Sequence, residues 1–220
     1  MDYYLLTYRG SLKGDSGEAV NAKYDLTNAC PKCGTGAVLI GNLPIRTPDK
    51  KEFYETFVGD LIISNRIVDE FKSTGIKIDH LKQIVHYKSF EPLPFYHLVS
   101  NVNLPKMTSE SKGYEISSDQ CKFCKRDGFS DVLIWRMPDS PNICMTSQYD
   151  YRIEDETILQ TSDIFQTWEC FGRSWLQSIG DLKYHYARPR IIVKQRIKDI
   201  FERLKIKFAD FERVTINSNK

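Results

Sequence analysis

Leu61-Ile62-Ile63-Ser64-Asn65-Arg66-Ile67-Val68-Asp69-Glu70-Phe71 recurs 130 residues later, without a gap, as Ile191-Ile192-Val193-Lys194-Gln195-Arg196-Ile197-Lys198-Asp199-Ile200-Phe201. Extended to Val85 and Thr215, the overlay holds seven identical positions in 25, including Arg66/Arg196, Phe71/Phe201 and Ile76-Lys77/Ile206-Lys207. A constant offset marks a duplicated supersecondary unit. Each copy reads as strand, helix, strand. The β-branched triplet is a short buried strand, and Ile67, Val68 and Phe71 in one copy share one helical face, matched by Ile197, Ile200, Phe201 and Leu204 on the helix of the other. Ser64 stands where an N-cap belongs, and Gly75 where a left-handed C-cap glycine ends the first helix. Apolar residues then resume, Ile76, Ile78, Leu81 and Ile84 against Ile206, Phe208, Phe211 and Val214. Lys205 replaces the glycine, so the second helix must end differently or absorb strain.

Upstream of each copy stands a Cys-x-x-Cys pair, Cys30-Pro31-Lys32-Cys33 and Cys121-Lys122-Phe123-Cys124. Four thiolates on two tight turns are the donor set of a tetrahedral structural zinc ion. Gly34 lets the first turn close, and Gly128 serves the second less directly. The 87 residues between the pairs exceed the roughly 15–20 of a zinc ribbon, so a shared site would be a long-range clasp. Structural zinc, worth about 10–16 kcal/mol in small peptides, exceeds the closure entropy of such a loop. The same pairs could instead be unligated core thiols or a redox dithiol, although neither shows the strand-to-helix context of the latter. Cys144 and Cys170 have no partner at motif spacing and are expected to be buried thiols.

The expected fold is α+β: two related strand-helix-strand units in one compact body, clasped by a two-knuckle four-cysteine zinc site. Residues 1–105 form the N-terminal half and residues 106–220 the C-terminal half. Glu91-Pro92-Leu93-Pro94 and Lys106 to Gly113 read as connecting loops, since proline and small polar residues interrupt the periodicity. With 220 residues and 41% hydrophobic composition, the chain can bury a substantial core, which excludes disorder for most of it. No apolar run approaches 18 residues, and the opening Met1-Asp2-Tyr3-Tyr4-Leu5-Leu6 lacks a basic, signal-type start, so a cytoplasmic protein is expected. Reduced metal-binding thiols fit that compartment better than a disulfide framework does.

Catalytic patterns are missing. The chain has no Gly-x-Ser-x-Gly elbow, no His-Glu-x-x-His helix and no Walker lysine. His80, His86, His97 and His185 are dispersed, and His97 and His185, near aromatic or apolar residues, read as hydrogen-bonded packing residues. The net charge of +2 hides a polarised second half, in which residues 183–220 carry 11 basic and 4 acidic groups and residues 106–182 carry 8 and 13. Lys183-Tyr184-His185-Tyr186-Ala187-Arg188-Pro189-Arg190 could stack bases and contact phosphates, so a nucleic-acid-binding zinc protein using Lys183 to Lys207 is the alternative. The acidic stretch Asp150 to Asp163 could equally neutralise that segment within the fold. Trp168 and Trp175 could anchor a protein partner.

Taken together, Cys30-Pro31-Lys32-Cys33-Gly34, the unit Gly59-Asp60-Leu61-Ile62-Ile63-Ser64-Asn65-Arg66, the second Cys-x-x-Cys and Ser162-Asp163-Ile164-Phe165 resemble the double-CXXCG proteins and related immunity proteins of bacterial polymorphic toxin systems. The likeness runs from about residue 24 through most of the chain. The sequence departs from the family pattern at Lys125, where a glycine would follow the second pair, and at Lys194, opposite Ser64. The resemblance implies a non-enzymatic cytoplasmic protein that binds and neutralises a cognate toxin domain. It assigns no catalytic residues, and it gives Cys30, Cys33, Cys121 and Cys124 as zinc ligands.

Overall fold

The computed structural model describes residues 1–10, 22–46, 50–56, 59–131, 148–172, 178–179, 182–183 and 187–218. Cys144, Trp175 and Tyr184-His185-Tyr186 lie outside the described residues. The chain is α+β with strands predominating. In order it forms β1 (Tyr3–Tyr8), β2 (Lys23–Asp25), β3 (Val38–Ile40), β4 (Leu43–Ile45), β5 (Phe53–Glu55), β6 (Leu61–Ser64), α1 (Asn65–Ser73), β7 (Lys82–His86) and β8 (Pro92–His97). There follow β9 (Tyr114–Ile116), β10 (Phe129–Asp131), β11 (Asp150–Ile153), α2 (Thr157–Thr161), β12 (Ile164–Phe171), β13 (Ser178–Ile179), β14 (Leu182–Lys183), β15 (Arg188–Lys194), α3 (Gln195–Arg203) and β16 (Ala209–Ser218). Among the described residues, no helix is long and apolar enough to cross a membrane.

Two sheets organise these elements. One has the order β4-β7-β8-β6-β5, the other β11-β16-β1-β15-β12-β10-β9; β2-β3 and β13-β14 are separate two-stranded ladders. In the first sheet β8 lies antiparallel between β6 and β7. In the second, β1 lies antiparallel between β15 and β16. The outer neighbours match as well: β5 and β12 run antiparallel to β6 and β15, and β4 and β11 run parallel to β7 and β16. β1 therefore joins the sheet built from the far end of the chain.

Expected as a loop, Pro92-Leu93-Pro94 instead opens the central strand β8. The register of β7 against β8 shifts between Gln83 and Val85. There the Gln83 side-chain amide donates to the carbonyls of Leu93 and Phe95. A bulge filled by a side-chain donor is where a sheet tolerates prolines, which have no N–H to give.

The helical faces read from the sequence are the buried ones: Ile67, Val68 and Phe71 on α1, and Ile197, Ile200 and Phe201 on α3. They enter one core with Leu6 and Tyr8 of β1, Ile62 and Ile63 of β6, and Ile191 and Val193 of β15. Phe71 and Phe201 meet with ring centroids 6.4 Å apart. The contact between the helices is reciprocal. Arg66 donates to the carbonyl of Leu204, and Arg196, 130 positions on, donates to that of Thr74. A second cluster fills the opposite face of the larger sheet, with Tyr3 and Leu5 of β1, Tyr149, Tyr151, Phe165 and Ile192. β1 is thus buried on both faces, as a central strand should be.

Ser64 occupies the N-cap position with extended backbone, but its hydroxyl makes no capping bond and is buried without a partner among the described residues. Gly75 ends α1 at φ +71°, and Lys205 holds the matching place at φ +56°. Left-handed backbone costs a non-glycine residue about 1–2 kcal/mol, partly offset by glycine's own entropic cost of about 0.5–1 kcal/mol. Lys205→Gly should therefore stabilise the protein by about 0.5–1 kcal/mol, seen as a Tm rise of about 1–4 °C in a thermal melt; a fall in Tm would refute the strain.

Candidate metal centre

Each Cys-x-x-Cys turn joins the strands of an antiparallel ladder. Cys30 and Cys33 lie between β2 and β3, and Cys121 and Cys124 between β9 and β10. In the first turn the N–H of Gly34 donates to the carbonyl of Cys30 (2.7 Å) and the N–H of Cys30 to that of Thr35 (2.8 Å). In the second, Lys125 N–H donates to the Cys121 carbonyl (2.9 Å), while Cys121 N–H donates to Asp127 Oδ1 (3.0 Å). Gly34 and Lys125 stand four residues after the first cysteine of their pairs, at φ +76° and +55°. The missing glycine is therefore replaced in kind: Lys125 adopts the left-handed conformation itself, and Gly128, at φ +76°, turns the chain into β10.

The two turns meet. Cys30 Sγ lies 3.9 Å from Cys121 Sγ, and Cys33 Sγ lies 3.5 Å from Cys124 Sγ. All four sulfurs fall within 4.8 Å of one another. These separations are far beyond a disulfide bond of about 2.05 Å. They match the edge of about 3.8 Å of a tetrahedron whose metal–sulfur bonds are about 2.3 Å. Cys30, Cys33, Cys121 and Cys124 therefore lie close enough to bind a metal ion. Thr35 Oγ1, 3.0 Å from Cys33 Sγ, braces one ligand. Arg126 crosses from the second turn to the first: its Nη1 would lie 3.1 Å from a Cβ placed on Gly36.

Burial opposes ionisation of Cys30, but the N–H groups of Cys33 and Lys32, with the Cys33 and Cys124 thiols, outweigh it and bring Cys30 down to about 7. Burial pushes Cys33 and Cys124 up. Cys30 can thus be a thiolate near neutral pH without help, whereas Cys33 and Cys124 need a cation to ionise them. Cys170 is a buried thiol pushed up to about 12 by burial, which suits an inert core residue. Trp168, half-buried on β12, has the Arg126 guanidinium 5.4 Å and the Lys106 ammonium 5.8 Å from its ring.

Sequence reading missed a buried ionic cluster. Asp60, 2% exposed, accepts from Arg188 Nε at 3.2 Å and faces His97 Nε2 at 3.4 Å. Arg188 begins β15 and Asp60 precedes β6, so the pair joins the two sheets. Burial would raise the Asp60 pKa, but the Arg188 charge and the hydrogen bonds from Arg188 and His97 outweigh it and hold the carboxyl well below the usual range. The sole signal in the sequence was an aspartate set directly against a buried apolar triplet.

Much of the basic C-terminal segment is paired internally. Arg190 meets Asp131 at 2.6 Å, and Lys194 and Arg196 both reach Asp163, at 3.5 and 3.4 Å. Arg203 bonds Glu70, and Arg213 meets Asp2 at 2.7 Å. No protein-family model matches this chain, and no curated protein matches it in sequence.

Cys121→Ser should lower metal content and Tm together, whereas Cys170→Ala should leave metal content unchanged; elemental analysis beside a melting curve separates the two. At neutral pH, Asp60→Asn should cost about 1.5–3 kcal/mol by replacing the charge-assisted bond between the buried carboxylate and the partly exposed Arg188 with a neutral amide. The Asp60 contribution is complete above the unfolded carboxyl pKa of about 3.9 and is lost as pH falls towards the lower folded value. Denaturant unfolding should therefore find the two proteins converging in acid.

Proposed function

We propose that this chain is a zinc-stabilised, non-enzymatic immunity-type protein that binds and neutralises a cognate toxin domain. One observation carries the metal half of the reading: four cysteine sulfurs lie within 4.8 Å of one another, and such a set would fill every coordination position of a zinc ion and leave none for water or substrate. The residues suit zinc, and they suit a structural task. Iron would also accept four thiolates, and is distinguished by its colour.

The scaffold is read as two related units. Besides the 130-residue offset, the matching strand orders support this, as does the exchange of Arg66 and Arg196 across the helix contact, the pattern of an isologous interface. In this reading β8 and β1 hold equivalent central places in the two sheets, and β1 reaches the larger one from the other half. At the register of the two sheets, Tyr3-Tyr4-Leu5-Leu6 falls on Phe95-Tyr96-His97-Leu98.

The toxin half of the reading comes from the resemblance to double-CXXCG and immunity proteins. Exposed apolar side chains on the clasped elements support it: Phe123 in the second turn, Val38 and Ile40 on β3, and Ile116 on β9. Exposed apolar side chains beside a rigid centre suit protein docking. The nucleic-acid alternative is weakened by the ion pairs that already occupy Arg188, Arg190, Lys194, Arg196, Arg203 and Arg213.

Co-expression with the toxin domain encoded beside the gene tests the whole. The expected results are survival of the cells, a stable complex, and about one colourless zinc ion per chain. Phe123→Asp should weaken the complex about tenfold or more while zinc content holds. Killing that proceeds equally with and without the chain would overturn the immunity reading, and steeply salt-dependent binding of RNA or DNA would favour the alternative.

A further inference from the structure

Between the two sheets, beside the first Cys-x-x-Cys turn, lies a cavity of about 710 Å³, a size typical of small-molecule sites. Its polar lining includes His80, Lys82 and His97 from the smaller sheet and its approach. Leu6, Leu98 and Ile191 supply apolar wall. The segment Gly36 to Leu39, immediately after the first pair of cysteines, closes one side.

The polar groups are left in a state that folding alone does not require. His97 is 8% exposed; its Nε2 faces Asp60, and its Nδ1 is buried with no hydrogen-bond partner among the described residues. Nε2 of His80 is likewise buried and unpartnered. Burial lowers the Lys82 pKa, yet among the described residues its ammonium meets no carboxylate and donates to the Leu39 carbonyl. Lys82 and His97 are directly opposite on β7 and β8, which places their side chains together on one face of the sheet.

The larger sheet provides a control. The place of His97, on the central strand opposite Ile62, is taken there by Leu5 opposite Ile192, and Leu5 is 1% exposed. An apolar residue satisfies the architecture. Unsatisfied buried nitrogens are destabilising, and two of them beside one cavity call for a partner that enters it.

We infer that this cavity binds a small organic phosphate monoester, its phosphate against Lys82, His97 and His80 and its organic part against Leu6, Leu98 and Ile191. Asp60 holds the Nε2 proton of His97 and leaves Nδ1 as the ring's acceptor. A phosphate monoester has its second pKa near 6. It therefore offers P–O⁻ to the ammonium and P–O–H to a neutral imidazole, and when the ring is protonated the same nitrogen donates to P–O⁻. A carboxylate, ionised at neutral pH, only accepts and leaves a neutral Nδ1 unsatisfied. This inference stands apart from the toxin reading, since it rests on the cavity alone.

Calorimetric titration of the metal-loaded full chain with phenyl phosphate tests it, with inorganic phosphate and benzoate as parallel arms. Phenyl phosphate should bind saturably at one site, about tenfold or more tighter than either control. Lys82→Met and His97→Gln should each weaken it about tenfold, and Lys72→Met, on the exposed face of α1, should not. The glutamine amide can still donate to Asp60, so an unchanged Tm and metal content show that His97→Gln keeps the fold. Absence of phenyl phosphate binding at millimolar concentration would overturn the inference. So would benzoate or inorganic phosphate binding equally well, or affinity indifferent to both cavity substitutions.

Discussion

Two tight turns 91 residues apart must bring their sulfurs to within van der Waals contact, and that convergence constrains everything between them. Closing a flexible loop of this length costs about 4 kcal/mol, which the binding of one thiolate-coordinated ion, at about 10–16 kcal/mol, offsets several-fold. The clasp is not the sole tie. β1, the Asp60–Arg188 pair and the Phe71–Phe201 contact all join early residues to late ones. The ion would therefore stiffen an arrangement that the apolar core already favours, and it would fix the walls of the cavity beside it.

The sequence made the helices and the cysteine centre readable because both depend on local spacing. Apolar residues three and four apart defined the buried faces of α1 and α3, and each Cys-x-x-Cys pair carries its turn with it. Sheet order was hidden because no local rule states which strand enters between two others. Nothing in Tyr3–Tyr8 names β15 and β16 as its neighbours. Pro92 and Pro94 hid β8, since the donor that tolerates them, the Gln83 amide, sits on another strand. Asp60, Arg188 and His97 become a cluster only after both sheets are assembled.

At two positions where the first half uses glycine in left-handed backbone, the second uses lysine: Gly34 against Lys125 and Gly75 against Lys205. In both cases the conformation survives the substitution. The turn around a sulfur pair and the end of a packed helix are fixed by their surroundings, so backbone strain is absorbed before geometry changes. The same logic separates Leu5 from His97. One place in the architecture accepts either residue, and the choice of histidine adds chemistry that packing does not call for.

The position of β1 also bears on biosynthesis. Leu5 leaves the ribosome long before its ladder partners Ile192 and Glu212 are made, a wait of roughly 10–40 s at ordinary elongation rates. During that interval an apolar strand has neither neighbour, and the larger sheet cannot close until β16 emerges. The nascent chain therefore has reason to need a chaperone's shelter, and a chain interrupted between β15 and β16 would leave β1 with only one of its two neighbours.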